Sequence, residues 1–341
     1  MEKTRKIWVD NVKVIAIVLV VLGHLMQSFV KADIINDSTA YNYFNQTIYL
    51  FHVPLFFICS GFLYQHLTKK QNFKSYLKNI LKKLVALGIP YFVFSGVTYL
   101  LKFIFSSSVN TENEGSFFHT LFVEPAAPYW FLYALFFLFV VSPIIKNKMD
   151  GIIRLVLSIG LYVLSVTVDF SFLPAFLNEI VFQIFNNLIW FVVGLEISFF
   201  DFEKSFSKVH GLIFIVFIFL SISYFKQLGK LPEYLNGIIR LVYGAVACMS
   251  ITSFIGAAYK NNNQTKIFGF LSKYTMPIFL MHTIFAAACR SVLFKIGIDS
   301  SVIHIAVGFI ASFAFPIIAA MIMEKIKLDI LYNPTKYIKI K

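Results

Sequence analysis

Charge is what this chain has little of. Asp, Glu, Lys and Arg make up 14% of its 341 residues, against about 25% in ordinary soluble domains. A soluble fold of this length needs enough polar residues to coat its surface, so a soluble globular enzyme is excluded. Cysteine is scarce as well. Cys59, Cys248 and Cys289 lie singly inside apolar runs, which offers neither a disulfide framework nor a metal-ligand spacing. They read as small core or lipid-facing residues. An internal repeat of the kind that marks many secondary transporters is also missing.

What the chain does have is apolar mass. Hydrophobic residues make up 58% of it, aromatics 18%, with 41 Phe and a mean hydropathy of +0.76. They come in runs of about 20, the length that crosses a ~30 Å hydrocarbon core. The fold class is therefore all-α: a polytopic membrane protein whose immediate surroundings are the lipid bilayer. The runs predict ten helices, over Val12 to Val30, Phe44 to Tyr64, Leu84 to Phe105, Tyr129 to Ile145, Gly151 to Phe170, Glu179 to Phe200, Gly211 to Phe225, Asn236 to Tyr259, Tyr274 to Phe294 and Ser301 to Met323. No small-residue cleavage site follows Leu22 to Val30, so the first run is expected to be a retained span rather than a signal peptide. Residues 1–341 are expected to form a single transmembrane domain.

The net charge of +13 would raise the question of nucleic acid in a soluble protein. Here the cations sit in short segments between apolar runs and read as topological, with no nucleic-acid partner. The N-terminal segment, every second connection and the tail hold 23 of the 30 Lys and Arg residues. The alternate connections hold Lys31, Lys226, Lys230 and Lys295, and one of them carries Glu112, Glu114 and Glu124 without a lysine. Lys102, Arg240 and Arg290 fall inside predicted spans. Because cytoplasmic segments are enriched in Lys and Arg, both termini are expected in the cytosol, which requires an even number of spans.

Ionisable side chains inside a span are costly, so each is a functional candidate. His24, His52, His282, His304, Glu196, Arg240 and Arg290 qualify, whereas Lys102 is close enough to a span end to snorkel. A neutral histidine also serves as a hydrogen-bonding residue between helices, the reading that suits His304. Span one differs, because its polar residues are in register. His24 follows Lys13 by eleven positions, which at ~100° and 1.5 Å per residue returns to within about 20° of the same face after roughly 16 Å. Lys13 lies at the inner boundary, Asp10 one turn earlier is able to orient or neutralise it, and His24 reaches toward the midplane. Such a stripe could hold a long anionic ligand with its charged end in the cytosol and its reactive end deep in the protein; alternatively Lys13 is a snorkelling anchor. No metal is implied, since no histidine pair has i, i+3 or i, i+4 spacing on a span and no carboxylate accompanies the histidines.

The stretch Trp8-Val-Asp10-Asn11-Val-Lys13, with His24 after ten intervening residues, resembles the first helix of the acyltransferase 3 family of integral membrane O-acyltransferases, which usually shows Arg-x10-His. Lys13 stands here at the Arg position. The resemblance continues in Phe51-His52-Val53-Pro54-Leu55-Phe56-Phe57 with Ser60-Gly61-Phe62, in Lys82-Lys83 before Pro90-Tyr91, in Tyr129-Trp130-Phe131-Leu132, in Trp190-Phe191 to Gly194, and in Ser272-Lys273-Tyr274 to Phe279-Leu280-Met281-His282. These blocks occur in the family's order over nearly the whole chain, and the subgroup most similar to them contains sugar O-acetylases.

The resemblance implies that an acyl group, most often acetyl, is taken from cytosolic acetyl-CoA or another acyl-CoA and delivered to a hydroxyl of a cell-envelope or lipid-linked saccharide in a bacterial-type plasma membrane. Lys13, Lys82 and Lys83 would then serve as point-charge ligands for the coenzyme phosphates. His24 is the expected base or, alternatively, a transient acyl carrier, with His52 as a second catalytic residue that pairs with it or fixes its tautomer. Asp10, Trp130, Tyr133, His282 and Arg290 complete the expected set on the substrate side: Trp130 and Tyr133 as a sugar-stacking platform or interfacial anchors, and Arg290, like Arg240, facing an acidic glycan or a lipid phosphate or else anchoring to lipid headgroups. The Ser60-Gly61 step suits close helix packing better than a nucleophile. A transporter or flippase for a lipid-linked or polysaccharide intermediate is the main rival, and a sensory module that has lost catalysis a third.

Overall fold

The computed structural model describes residues 5–68, 71–106, 115–226, 230–260 and 264–340. Within them every regular element is a helix: α1 (Ile7–Lys31), α2 (Thr39–Tyr49), α3 (His52–Leu67), α4 (Phe73–Lys83), α5 (Ile89–Ile104), α6 (Phe117–Phe122), α7 (Trp130–Val141), α8 (Lys148–Thr167), α9 (Ala175–Phe199), α10 (His210–Phe225), α11 (Glu233–Ala258), α12 (Lys266–Lys295) and α13 (Ser301–Lys325). Among the described residues eight helical stretches are long and apolar enough to cross a membrane, and α7 and α10 are shorter apolar helices. Together they stand at the ten predicted places, in an all-α, multi-pass membrane protein. Lys3, Lys69, Lys70, Lys341, Glu112 and Glu114, which entered the charge argument, lie outside the described residues.

Three of the boundaries that differ from the sequence reading have a local reason. The second run is broken at Leu50 and Phe51 into α2 and α3. Pro54 has no N–H for the carbonyl four residues earlier, and its ring crowds that carbonyl, so the chain turns there and His52 becomes the first residue of α3. The third run is longer than its apolar part: helix continues from Phe73 to Ile104, through a π-turn at Leu84–Gly88. Pro90 follows at once, and wide turns of this kind occur where a proline interrupts the ladder. The fourth ends at Val141 rather than Ile145, because Pro143 disfavours helical backbone in Ser142 before it.

The chain folds as two compact units, the first from residues 1–16, 46–73 and 137–272, the second from 17–45, 74–136 and 273–341. Helices α1, α2, α7 and α12 contribute residues to both, as does α4 through Phe73. In the first unit, α3 and α9 touch backbone to backbone. A Cβ on Gly61 would lie 2.1 Å from the Phe191 carbonyl oxygen, and one on Gly194 would lie 2.1 Å from that of Ile58. This is the small-residue contact by which helices in lipid gain dispersion energy, there being no hydrophobic drive between them, and it is the packing role expected for Gly61. Cys59 and Cys248 are buried in this unit, their thiols directed at the carbonyls of Val9 and Phe51. Near the N-terminus Trp8 packs edge-on against Phe62 and Phe206 and donates its indole N–H to Glu203, which also receives Lys6 at 2.5 Å.

In the second unit the distal half of α1 packs against α12 and α13. Leu25, Phe29, Ile34 and Ala286 form a buried cluster, and Gly308 lets the Phe29 and Leu25 side chains come within 2.9 and 3.1 Å of where a Cβ would stand. Tyr129, fully buried before α7, donates its hydroxyl to the Leu280 carbonyl at 3.0 Å and is 2.8 Å from the Thr98 hydroxyl. That bond pair joins α5, α12 and the start of α7 at one point. Tyr91 likewise donates to the Leu121 carbonyl at 2.5 Å, fixing α6 against α5.

Candidate active site

A cavity of about 790 Å³ opens in the second unit between the distal half of α1, α5, the distal half of α12 and the segment Glu124 to Ala127. Its polar lining repeats a helical spacing on each wall. From α1 come His24, Gln27, Ser28 and Lys31; from α5, Ser95, Thr98, Tyr99 and Lys102; from α12, Thr283, Arg290, Ser291 and Lys295. Residues at i, i+3, i+4 and i+7 share one face of a helix, so the polar stripe of three otherwise apolar helices converges on one space. The volume lies within the ~300–1,000 Å³ typical of small-molecule sites.

His24 lines this cavity, and the ring of His282 lies behind it at 5.4 Å between centroids. His282 is buried, and its Nδ1 lies 2.9 Å from the Ile278 carbonyl oxygen and 3.0 Å from that of Phe279. A carbonyl only accepts, which assigns the proton to Nδ1 and leaves the lone pair on Nε2. Among the described residues that Nε2 has no hydrogen-bond partner. The pair thus places a half-buried imidazole at the cavity wall and a second, tautomerically fixed imidazole next to it. Two imidazoles so arranged take up and hold one proton, the function a base for hydroxyl chemistry needs. Arg290 is 5% exposed and donates from its guanidinium to the Ser28 hydroxyl across the same space.

Of the residues singled out from the sequence, the structure brings His24 and Arg290 together on this cavity, with His282 behind His24. His52 belongs to the first unit, where its Nδ1 donates to the Ile48 carbonyl at 2.6 Å and its ring packs edge-on against Tyr49 at 4.5 Å. Lys13 is half-buried on the part of α1 within that unit, and Asp10 accepts from Arg5 at 2.5 Å, so the carboxylate that spacing offered to Lys13 is held by Arg5. Lys82 is exposed and Lys83 half-buried at the end of α4, away from the cavity lining. Trp130 and Tyr133 are also not among the lining residues, and the Tyr133 hydroxyl donates to the Phe122 carbonyl at 3.4 Å. His304 bonds the Ile298 carbonyl, in the connection before α13, at 2.8 Å and packs on Phe294 of α12. Among the described residues no group of three or more His, Cys, Asp or Glu is gathered that could hold a metal ion.

Sequence reasoning missed most of the cavity wall: Gln27, Ser28, Lys31, Ser95, Thr98, Thr283 and Ser291. The signal was present as periodicity on α1 and α5, whose sets recur at three- and four-residue steps inside an apolar run. Ser95 is 1% exposed and its hydroxyl has no partner among the described residues, a polar group whose burial calls for a ligand or water beside it.

Residues 6–321 match the acyltransferase 3 family, described as an acyltransferase domain. The chain belongs to that family. The nodulation protein NolL of Mesorhizobium japonicum (strain LMG 29417 / CECT 9101 / MAFF 303099) is 27% identical over 140 residues, a stretch that covers 40% of this chain and 35% of that protein. The chain therefore spans about a third of the length of the relative it matches. No solved structure matches it. The family match covers both units, and it includes α1, α5 and α12, whose polar faces build the cavity.

Proposed function

We propose that this acyltransferase 3 protein transfers an acyl group, acetyl in the simplest case, from cytosolic acyl-CoA to a hydroxyl of a cell-envelope or lipid-linked saccharide at a bacterial-type plasma membrane. The observation that carries the reading is the cavity-lining His24 backed by His282, whose Nδ1 is tied to two backbone carbonyls. An acceptor hydroxyl in the cavity gives its proton to His24 as its oxygen forms a bond to the thioester carbonyl carbon. The carbon–sulfur bond breaks and the coenzyme thiolate takes up a proton. His282 supports the charged imidazole with its Nε2 lone pair and is a positioning residue. Residues 1–341 work as one catalytic domain in this scheme, with Lys13, Lys82 and Lys83 as cationic ligands for the coenzyme phosphates.

Purified protein supplied with labelled acetyl-CoA and a panel of envelope saccharides tests the proposal. Label should appear on the saccharide as a base-labile ester. Movement of unmodified saccharide across a vesicle membrane, with no ester formed, would identify a transporter instead.

If Lys13 neutralises a coenzyme phosphate, charge should matter more than donor geometry, because an ammonium binds phosphate as a compact point charge. Lys13→Arg should keep activity. Lys13→Gln should weaken coenzyme A binding by about 10- to 150-fold, the worth of one charge-assisted hydrogen bond, as read by titration of the purified protein. Equal affinities in wild type and Lys13→Gln would reduce Lys13 to an anchor.

The distribution of cations supports an orientation with both termini and α4 in the cytosol and the segment before α6 outside. With the three native cysteines replaced, a single cysteine at Lys74 should resist an impermeant thiol reagent applied to intact cells, and one at Ser116 should react. External labelling at Lys74 would reverse the topology.

A further inference from the structure

Outside the cation-rich segments the chain has seven Lys and Arg residues: Lys31, Lys102, Lys226, Lys230, Arg240, Arg290 and Lys295. Four of the seven, Lys31, Lys102, Arg290 and Lys295, line the one cavity that contains His24, and Glu124 is the carboxylate among its lining residues. These cations stand toward the C-terminal ends of α1, α5 and α12. The ends that carry Lys13, Lys82, Lys83, Lys266 and Lys273 are the opposite ones. Cations are depleted on the external side of a membrane protein, and one buried in a span costs about 2.5–3.5 kcal/mol on insertion scales. A concentration of four of them on one site runs against the first tendency, and the burial of Arg290 runs against the second.

We infer that the cavity takes an acceptor saccharide carrying its own negative charge, a phosphate ester or a carboxylate close to the hydroxyl that is acylated. This rests on the acyl-transfer reading above and names its substrate class. Arg290 is the anchor. Ser28 occupies part of its donor fork, and a guanidinium has five N–H donors in a planar array that matches the paired oxygens of carboxylate or phosphate. Lys31 and Lys295, both exposed, and Lys102, half-buried, add point charges that draw an anion into the mouth. Ser95, Thr98, Thr283 and Gln27 supply the neutral donors and acceptors that a sugar ring needs. The anion would thus be held on the same walls as His24, and a saccharide anchored through it brings a ring hydroxyl toward the base.

The test uses the full-length protein in nanodiscs of zwitterionic phosphatidylcholine. Three probes are titrated: N-acetylglucosamine 1-phosphate, methyl glucuronide and the neutral methyl N-acetylglucosaminide. The two anions should bind at least about ten times more tightly than the neutral sugar. In Arg290→Gln the ratio of anionic to neutral affinity should fall by about 10- to 150-fold, the range for one charge-assisted hydrogen bond. Lys295→Gln, at an exposed position where folding is not at stake, should lower the same ratio by a smaller factor. Equal binding of the three probes by the wild-type protein overturns the inference. So does a parallel fall in coenzyme A affinity in Arg290→Gln, which would make the cations part of the donor site. So does loss of the anion preference in nanodiscs of phosphatidylglycerol, which would assign them to lipid headgroups. Binding is read without turnover, so the two readings fail separately: anion preference without ester formation leaves this inference and removes acyl transfer, and esterification of the neutral sugar with no anion preference does the reverse.

Discussion

His24→Ala should abolish acyl transfer to the saccharide while leaving membrane insertion and yield near those of the wild type. General-base catalysis contributes about 10²- to 10⁴-fold, and here the base lines the cavity while the second imidazole lies behind it. Replacing a half-buried neutral ring by a methyl adds no charge to the membrane and leaves the α1 contacts made by Leu25 and Phe29 in place, so the catalytic loss should far exceed any loss of folding. The measurement is the initial rate of label transfer per mole of folded protein. A variant that keeps more than about a tenth of the wild-type rate falls short of the ~100-fold minimum and removes His24 from the chemistry. His282→Ala supplies the second arm. If the two rings work as a unit, their effects should be strongly non-additive, with His24→Ala/His282→Ala little worse than His24→Ala alone. Additive losses would assign His282 to packing.

The largest structural effect is expected at the α3–α9 contact. An alanine Cβ at Gly194 would stand 2.1 Å from the Ile58 carbonyl oxygen and 2.8 Å from the Phe62 nitrogen, and one at Gly61 would meet the Phe191 carbonyl at 2.1 Å and the Leu195 nitrogen at 3.2 Å. The obstructing atoms are backbone, so no rotamer change relieves them, and the helices must separate by about 1 Å. Ordinary overpacking costs about 1–3 kcal/mol; this displacement also takes apart the side-chain packing along both helices and should approach the ~5–15 kcal/mol that holds a domain together. Gly61→Ala and Gly194→Ala should therefore yield little monodisperse protein in detergent, and Gly194→Val none. Gly160→Ala is the control, since nothing lies within 4 Å of its Cβ and alanine favours a helix interior by about 0.5–1 kcal/mol over glycine. A Gly194→Ala protein that melts within a few degrees of wild type would show that α3 and α9 do not need this approach.

The helices were legible in the sequence because hydropathy and the ~20-residue length are one-dimensional properties, and for the same reason the broken second run was misjudged: whether Pro54 kinks a helix or ends it depends on what packs around Leu50 and Phe51. His24 stood out because a lone imidazole in an apolar run is rare. His282 was visible but its role was not, since the bond to its own helix that fixes the tautomer appears only when the ring's rotamer is known. The pairing of His52 with His24 is an inference from hairpin proximity, and the bond of His52 to the Ile48 carbonyl within its own unit could not be read from that proximity. Serine and threonine at Ser28, Ser95, Thr98 and Thr283 passed unnoticed because such residues commonly bond back to their own helix, and only the convergence of three helices distinguishes a wall from a scatter.

The π-turn at Leu84–Gly88 sets how the long third helix can be edited. A π-type bond spans five residues where an α-type bond spans four, so the segment holds about one residue more than its rise would suggest. Residues on its two sides are related as if the chain were one residue shorter. Wheel arithmetic carried from Lys82 or Lys83 to Ser95 and Thr98 is off by one step, roughly 100°. A one-residue deletion inside Leu84–Gly88 can be taken up by tightening the turn, and leaves Ser95, Thr98 and Lys102 facing as before. The same deletion between Ser95 and Lys102 has no slack to draw on and swings Lys102 about a quarter turn away from His24's side of the cavity. Tolerance to length change along this helix is thus a property of where the wide turn sits and of no particular side chain.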